Sequence, residues 1–401
     1  MKNHKKNTQK KQLQNNLKQT AVKNNFRQAL QKNIQAHLMK TLGVASTLAD
    51  RASSVIMGLF SSAGVWQKKI AHSIISENQV ASEVRAIQRF FSTAEFDYHV
   101  YGAMLHSMIR TGKKSIVALD RTNWKFGEKN INLFVAAVLC NAFGKKQSFA
   151  VPIVWEMLQK AGTSNTQERK IIMQKVLDIV GRDNIEVVLE DREFIGEEWI
   201  AFLLDELVPF IIRIRNSMYV EYKGHRVKVS TLCKGLKKGE KRYWLVTLNG
   251  RDVQLAATIS KDGELVVVIA SPGVEGNLLS KYRLRWLIEL FFKSIKSRGF
   301  NIEETHMTDP SKIKVLFAML AYATALSVQA GVVRDYLDPI LLKNHGRPTY
   351  SLFTYGFDFI RELIRGVIPR IIQRIKKAQF LLQNCFLLSQ SGFEVYALST
   401  E

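Results

Sequence analysis

Tyr282-Arg-Leu-Arg-Trp-Leu-Ile-Glu-Leu-Phe-Phe-Lys-Ser-Ile-Lys296 is the stretch on which the reading of this chain turns. Wound as an α-helix at about 100° per residue, it places Arg285, Glu289, Lys293 and Lys296 within about 60° of Tyr282. These five polar side chains share a stripe about 80° wide, and only Arg283 and Ser294 lie off it. Leu284, Leu287, Ile288, Phe291 and Ile295 fall on the opposite side, between about 140° and 240°. One face is built for a core. The other offers a carboxylate among cations and a phenol, a pattern suited to a polyanion held beside a carboxylate.

Upstream, the chain first supplies strands. Ser115–Asp120 is a short apolar run ending in a carboxylate, and Asn130–Cys140 and Gln147–Val154 are further strand segments joined by a turn around Gly144. Asn165–Val180 carries helical spacing, Ile185–Glu190 is a strand followed by Asp191, Gly196–Glu206 is a helix and Val208–Arg215 a strand. Three strands followed by alternating helices and strands imply an α/β domain with a mixed sheet. From Tyr219 to Ile269 the signal is all strand: Tyr219–Tyr222, Arg226–Ser230, Tyr243–Leu248, Val253–Ile259 and Leu265–Ile269, with turns at Lys223-Gly224, Asn249-Gly250 and Asp262-Gly263. This reads as a β insertion, after which the helix bearing Glu289 returns to the core. Residues 20 to about 110 are helical in pattern, as are 311–335 and a basic stretch, 356–386. The division implied is a helical basic region over 1–110, a core in two parts over 111–216 and 279–335, a β insertion over 217–278 and a helical C-terminal region over 336–401.

Composition narrows the partner. The 401 residues include 58 Lys and Arg against 35 Asp and Glu, a net charge of +23, which favours a polyanion, nucleic acid before membrane. Residues 1–49 hold ten basic residues and no acidic one, the composition of a solvated basic lead. Cys140, Cys233 and Cys385 lie far apart with no CxxC pair, which argues against a disulfide framework or a structural zinc site and fits a reducing cytoplasm. Val315–Val333 is uncharged over 19 residues but contains Thr324, Ser327 and Gln329, so a buried helix is a better reading than a membrane span. No GxxxxGK[ST] loop is present, so no nucleotide cofactor is implied.

Asp120 and Asp191 follow strands and Glu289 sits on a helix. Carboxylates at strand ends of an α/β sheet can converge at the edge where ligands bind. Taken singly, a strand-end Asp forms turns more often than metal sites, and Glu289 pairs readily with Lys293. Together, three carboxylates without His or Cys suit hard cations, Mg²⁺ or Mn²⁺. Two such ions about 3.5–4 Å apart can activate an attacking oxygen and stabilise the leaving one at phosphorus.

The sequence resembles the bacterial insertion-sequence transposases of the DDE class. One branch carries Y-(2)-R-(3)-E-(6)-K, matched here by Tyr282, Arg285, Glu289 and Lys296. Leu119-Asp120-Arg121-Thr122-Asn123-Trp124 resembles the first Asp motif of that branch and Leu189-Glu190-Asp191-Arg192-Glu193-Phe194 the second. The resemblance covers about residues 115–335. It implies a ribonuclease-H-like core with a mainly β insertion, two Mg²⁺ or Mn²⁺ ions on Asp120, Asp191 and Glu289, and backbone phosphates held by Tyr282, Arg285 and Lys296, with Lys293 assisting. It implies cut-and-paste transposition by a bacterial cytoplasmic, nucleoid-associated enzyme that acts on terminal inverted repeats and target DNA as a homodimer, without a membrane. An inactive regulatory derivative and a ribonuclease-H-like nuclease are the rival readings. Some relatives hold a flipped base against an aromatic ring; Trp124, Trp155, Trp244 and Trp286 are open to that role.

Overall fold

The computed structural model describes residues 26–74, 76–109, 114–141, 148–344 and 346–365. It divides into two compact units, one of residues 110–292 and one drawn from 1–109 and 293–401. The turn around Gly144 and the helical stretch beyond residue 365 lie outside the described residues.

The second unit begins with helices α1 (26–42), α2 (Ser46–Ser62), α3 (Gln67–Ser73), α4 (Val80–Thr93) and α5 (Tyr98–Ile109). The chain then builds β1 (Ser115–Phe126), β2 (Lys129–Asn141), β3 (Ser148–Met157), α6 (Thr166–Val180), β4 (Ile185–Glu190), α7 (Glu197–Asp205), β5 (Phe210–Arg213), β6 (Tyr219–Tyr222), β7 (His225–Lys228), the short α8 (Val229–Leu232), β8 (Lys241–Leu248), β9 (Arg251–Ile259) and β10 (Leu265–Ala270). Helices α9 (Leu278–Tyr282), α10 (Trp286–Lys296), α11 (Pro310–Leu337) and α12 (Leu352–Arg365) follow.

All ten strands form one sheet in the order β3-β2-β1-β4-β5-β10-β9-β8-β6-β7. β1, β4 and β5 are parallel neighbours and the remaining pairs are antiparallel. The five strands of 217–278 therefore extend the same sheet: β10 returns to pair with β5 and carries the others outward. Where they pair with one another, the parallel strands carry short apolar runs, as strands covered on both faces require. Val187, Val188, Leu189, Phe210, Ile211 and Ile212 are fully buried. Helix α6 packs on β2 and β3, and α9 on β5, β9 and β10. Asn165 caps α6 by accepting from Glu168 N at 2.8 Å, while the Glu168 side chain accepts from Asn165 N at 2.7 Å.

Two local structures depart from the sequence reading. β1 does not end at Asp120 but runs on to Phe126, because β2 stays paired with it to the Gly127-Glu128 turn after β4 has stopped at Leu119. The stretch 282–296 is not one uniform helix. A 3₁₀ turn at Arg283–Arg285 separates α9 from α10. At three residues per turn, side chains three apart eclipse, so Arg285 lies over the Tyr282 ring, its guanidinium carbon 6.0 Å from the centroid.

In the other unit α11 is the central helix, with α2, α4, α5 and α12 packed on it. Its most apolar window is 94% buried inside the protein, and Asp309 caps its N-terminus. Two polar contacts tie this core together: His37 Nδ1 and Tyr322 OH lie 2.8 Å apart, and Tyr101 OH donates to Ala318 O at 3.0 Å.

Candidate active site

The strand register brings the two aspartates together. Leu119 pairs with Glu190 across the parallel β1–β4 ladder, so the next residue of each strand, Asp120 and Asp191, lies side by side where the pairing ends. Adjacent strands run about 4.8 Å apart. Beyond Glu190 the chain turns through a 3₁₀ segment, Arg192–Phe194, with Phe194 N donating to Asp191 O at 3.0 Å.

The third carboxylate arrives from the helix. The 3₁₀ turn packs against β4, and Lys281 Nζ holds Glu186 at 2.8 Å. From that anchorage Tyr282 OH donates to Asp191 Oδ1 at 3.3 Å. Arg285 Nη1 donates to Asp120 Oδ2 at 2.9 Å, and its Nη2 donates to Glu289 Oε1. One guanidinium thus joins Asp120 to Glu289, and the neighbouring phenol reaches Asp191. The Arg285 side chain is 11% exposed and that of Asp120 15%, so these charges act with little water between them.

Burial drives the Asp120 carboxyl up to about 6; Arg285 and the Arg121 N–H, which donates to it at 2.8 Å, oppose the rise, while Glu193 and Glu289 add to it. Burial also raises the Tyr282 phenol, so it stays a donor at neutral pH. Burial alone would lower the Arg285 guanidinium, but Tyr282, Asp120, Asp191 and Glu289 together hold it firmly charged.

A second set of charges braces the site, and the sequence motifs contained it without showing its role. Arg121, next to Asp120, forms a bidentate pair with Glu193, two residues past Asp191, at 2.9 and 2.6 Å. Its Nη1 also donates to Asn132 Oδ1 and Gly162 O. The buried Arg169 of α6 donates to Glu193 O and Phe194 O, each at 3.0 Å, pinning the turn after Asp191. Glu190 points to the other side of β4, fully buried, where Trp199 Nε1 donates to it at 2.8 Å. Burial pushes its carboxyl up to about 8, against the pull of Trp199 and Arg169. Alternation along the two Asp motifs was the available signal: Asp120 and Arg121, and Glu190 and Asp191, had to face opposite ways.

Lys293 and Lys296 follow on the last turns of α10, past the point where this unit ends. Lys293 is exposed, and Lys296 pairs with Glu303 at 3.0 Å. Trp124 and Trp155 are buried and Trp244 half-buried, whereas Trp286 is 57% exposed three residues before Glu289.

Among the described residues no three His, Cys, Asp or Glu side chains surround one point closely enough to hold a metal ion as they stand; the cation between Asp120 and Glu289 is Arg285. The donor chemistry nevertheless fits divalent ions. The donors are oxygens only, and three carboxylates against one guanidinium leave an excess of negative charge at a site where burial resists it.

No curated protein matches the chain. Among solved structures, a cryo-EM structure of a piggyBac transposase synaptic complex with hairpin DNA matches with TM-score 0.42 and 11% identity, over 90% of this chain and 82% of that one; at that distance the likeness adds nothing to the assignment. Residues 111–326, more than half of the chain, match the family described as "Transposase DDE domain". That span includes Asp120, Asp191, Tyr282, Arg285 and Glu289, and on this match the chain belongs to the transposase DDE domain family.

Proposed function

We propose that this transposase is an insertion-sequence enzyme that cuts DNA at the ends of its element and joins the freed 3′ ends to target DNA by a cut-and-paste route. The observation that carries the reading is the convergence of Asp120, Asp191 and Glu289 through Arg285 and Tyr282. We read β3-β2-β1-β4-β5 as the ribonuclease-H-like core that the resemblance implies. Asp120, Asp191 and Glu289 would hold two Mg²⁺ or Mn²⁺ ions. Such ions, when bound, supply Lewis acidity to the entering and departing oxygens of a phosphodiester.

The chain's own groups position the DNA. Arg285 offers a planar two-donor fork that matches a phosphate as well as it matches a carboxylate. Tyr282 adds a neutral donor, and Lys293 and Lys296 add point charge along the same helix. The Arg121–Glu193 brace holds the turn that follows Asp191, so the two aspartates keep their spacing as the backbone phosphate enters. Trp286, exposed one turn before Glu289, would be the tryptophan to stack on an unpaired base at the cleaved end. The helical basic region over 1–110 would recognise terminal repeats, and 336–401 would pair two protomers, as synapsis of two ends requires.

Asp120→Asn, Asp191→Asn and Glu289→Gln should each abolish Mg²⁺-dependent cleavage of DNA carrying the element's ends, with end binding retained in a mobility-shift assay. Full cleavage by any of the three would sink the assignment. Strand-transfer product from the wild type separates a transposase from a nuclease that only cuts.

A further inference from the structure

The outer end of the sheet carries an exposed face that the catalytic site does not use. In antiparallel pairs, residues directly opposite share a face. Tyr219 is opposite Lys228, Glu221 is opposite both Arg226 and Thr247, and β8 alternates so that Lys241, Tyr243 and Leu245 lie on the same side as Thr247. The other side is closed: Val220, Val246, Leu248 and Val253 are buried. On the open side Tyr219 and Tyr243 are each 49% exposed and Leu245 75%. The Arg226 guanidinium lies over the Tyr219 ring, 4.8 Å from its centroid. Single exposed apolar residues need no explanation, but here two phenols and a leucine lie on one flat face of three adjacent strands.

Charge says what covers it. Residues 215–252 contain ten Lys and Arg against three carboxylates. Glu240 is engaged by Arg242 and Asp252 accepts from the Thr247 hydroxyl, which leaves Glu221 as the one carboxylate of the three without such a partner among the described residues. Arg226, Lys228 and Lys241 have no carboxylate partner among the described residues, and Lys223, Lys234, Lys237 and Lys238 stand exposed in the two adjoining connections. A second copy of so basic a face would be repelled from it, whereas a polyanion would be drawn to it. We propose that the open face of β6, β7 and β8 is a docking surface for the sugar–phosphate backbone of duplex DNA, with the cations on phosphates and Tyr219, Tyr243 and Leu245 against the sugars. The inference rests on the transposase reading only in taking DNA as the partner.

The test uses the full chain and a fluorescent mixed-sequence DNA duplex about three helical turns long, with affinity followed by anisotropy over a range of salt concentrations. Each phosphate contact contributes about 0.9 to the slope of log affinity against log salt. The triple variant Arg226→Gln, Lys228→Gln, Lys241→Gln should therefore show a slope shallower by about 2–3. Glu221→Gln should bind more tightly than wild type, a gain that misfolding cannot produce. An unchanged slope in the triple variant overturns the proposal, and a loss of self-association in sedimentation with the slope unchanged would assign the face to a second copy instead. Cleavage of element-end DNA by the wild type is measured in parallel: a wild type that fails to cut defeats the catalytic reading alone, and an unchanged slope in the triple variant defeats this one alone.

Discussion

Arg285 sits where three assignments meet. The family resemblance proposes it as a phosphate ligand, and in the folded protein it is the counter-ion of Asp120 and Glu289. The two roles share one chemistry, a planar fork meeting two anionic oxygens, so the same guanidinium can serve carboxylates and phosphate in turn. Glu190 shows the opposite behaviour, a carboxyl kept neutral. Its folded value, about 8, lies above its ordinary one, so the stability it confers is full below the unfolded value and is lost as pH rises through about 8. Glutamine mimics the protonated acid and can still accept from Trp199. Glu190→Gln should therefore match wild type near pH 5 and gain on it steadily toward about pH 9, by up to several kcal/mol. Thermal unfolding of both proteins across that range checks this, and parallel curves would refute a neutral Glu190.

Helices α11 and α12 approach each other backbone to backbone at two glycines. A Cβ on Gly356 would lie 1.8 Å from Ser327 O and 2.3 Å from Gly331 N, and one on Gly331 would lie 2.0 Å from Leu352 O. Backbone atoms cannot swing aside as a side chain can, so the helices must separate. Gly356→Ala should destabilise this unit by about 3 kcal/mol or more, at or above the upper end of the usual range for overpacking, seen as a lowered unfolding transition in calorimetry. An unchanged transition would mean the helices do not meet at these glycines. The sequence shows both glycines within helical patterns, but which helix each one faces is a tertiary fact. The sheet gives a similar lesson. Alternation and turn residues identify β6 to β10, with β7 shortened where 229–232 turns into α8. That β10 pairs with β5 and makes one sheet of ten strands could not be read from them, because strand partners are chosen by long-range packing rather than by local pattern.

For the whole molecule the dominant quantity is charge. Of the net +23, seven lysines fall within residues 1–25 with no acidic residue among them. Replacing those seven with glutamine should make the salt dependence of DNA binding shallower by at most about 6, while leaving thermal unfolding in place; a slope that does not move would remove this segment from the DNA-binding surface. Composition, the order of the motifs and the spacing around Glu289 were enough to single out three carboxylates, a polar stripe beside one of them and a preference for a nucleic-acid partner, because residue type and helical period are local properties of the chain. The β1–β4 register that sets Asp120 beside Asp191, the 3₁₀ turn that stacks Arg285 on Tyr282, and the brace from Arg121 to Glu193 and Arg169 were decided only by the tertiary structure. The register and the Arg121–Glu193 pair join residues 71 and 72 positions apart (190 minus 119, 193 minus 121), Arg169 reaches Glu193 across 24, and the 3₁₀ turn packs against β4; no local pattern encodes such contacts.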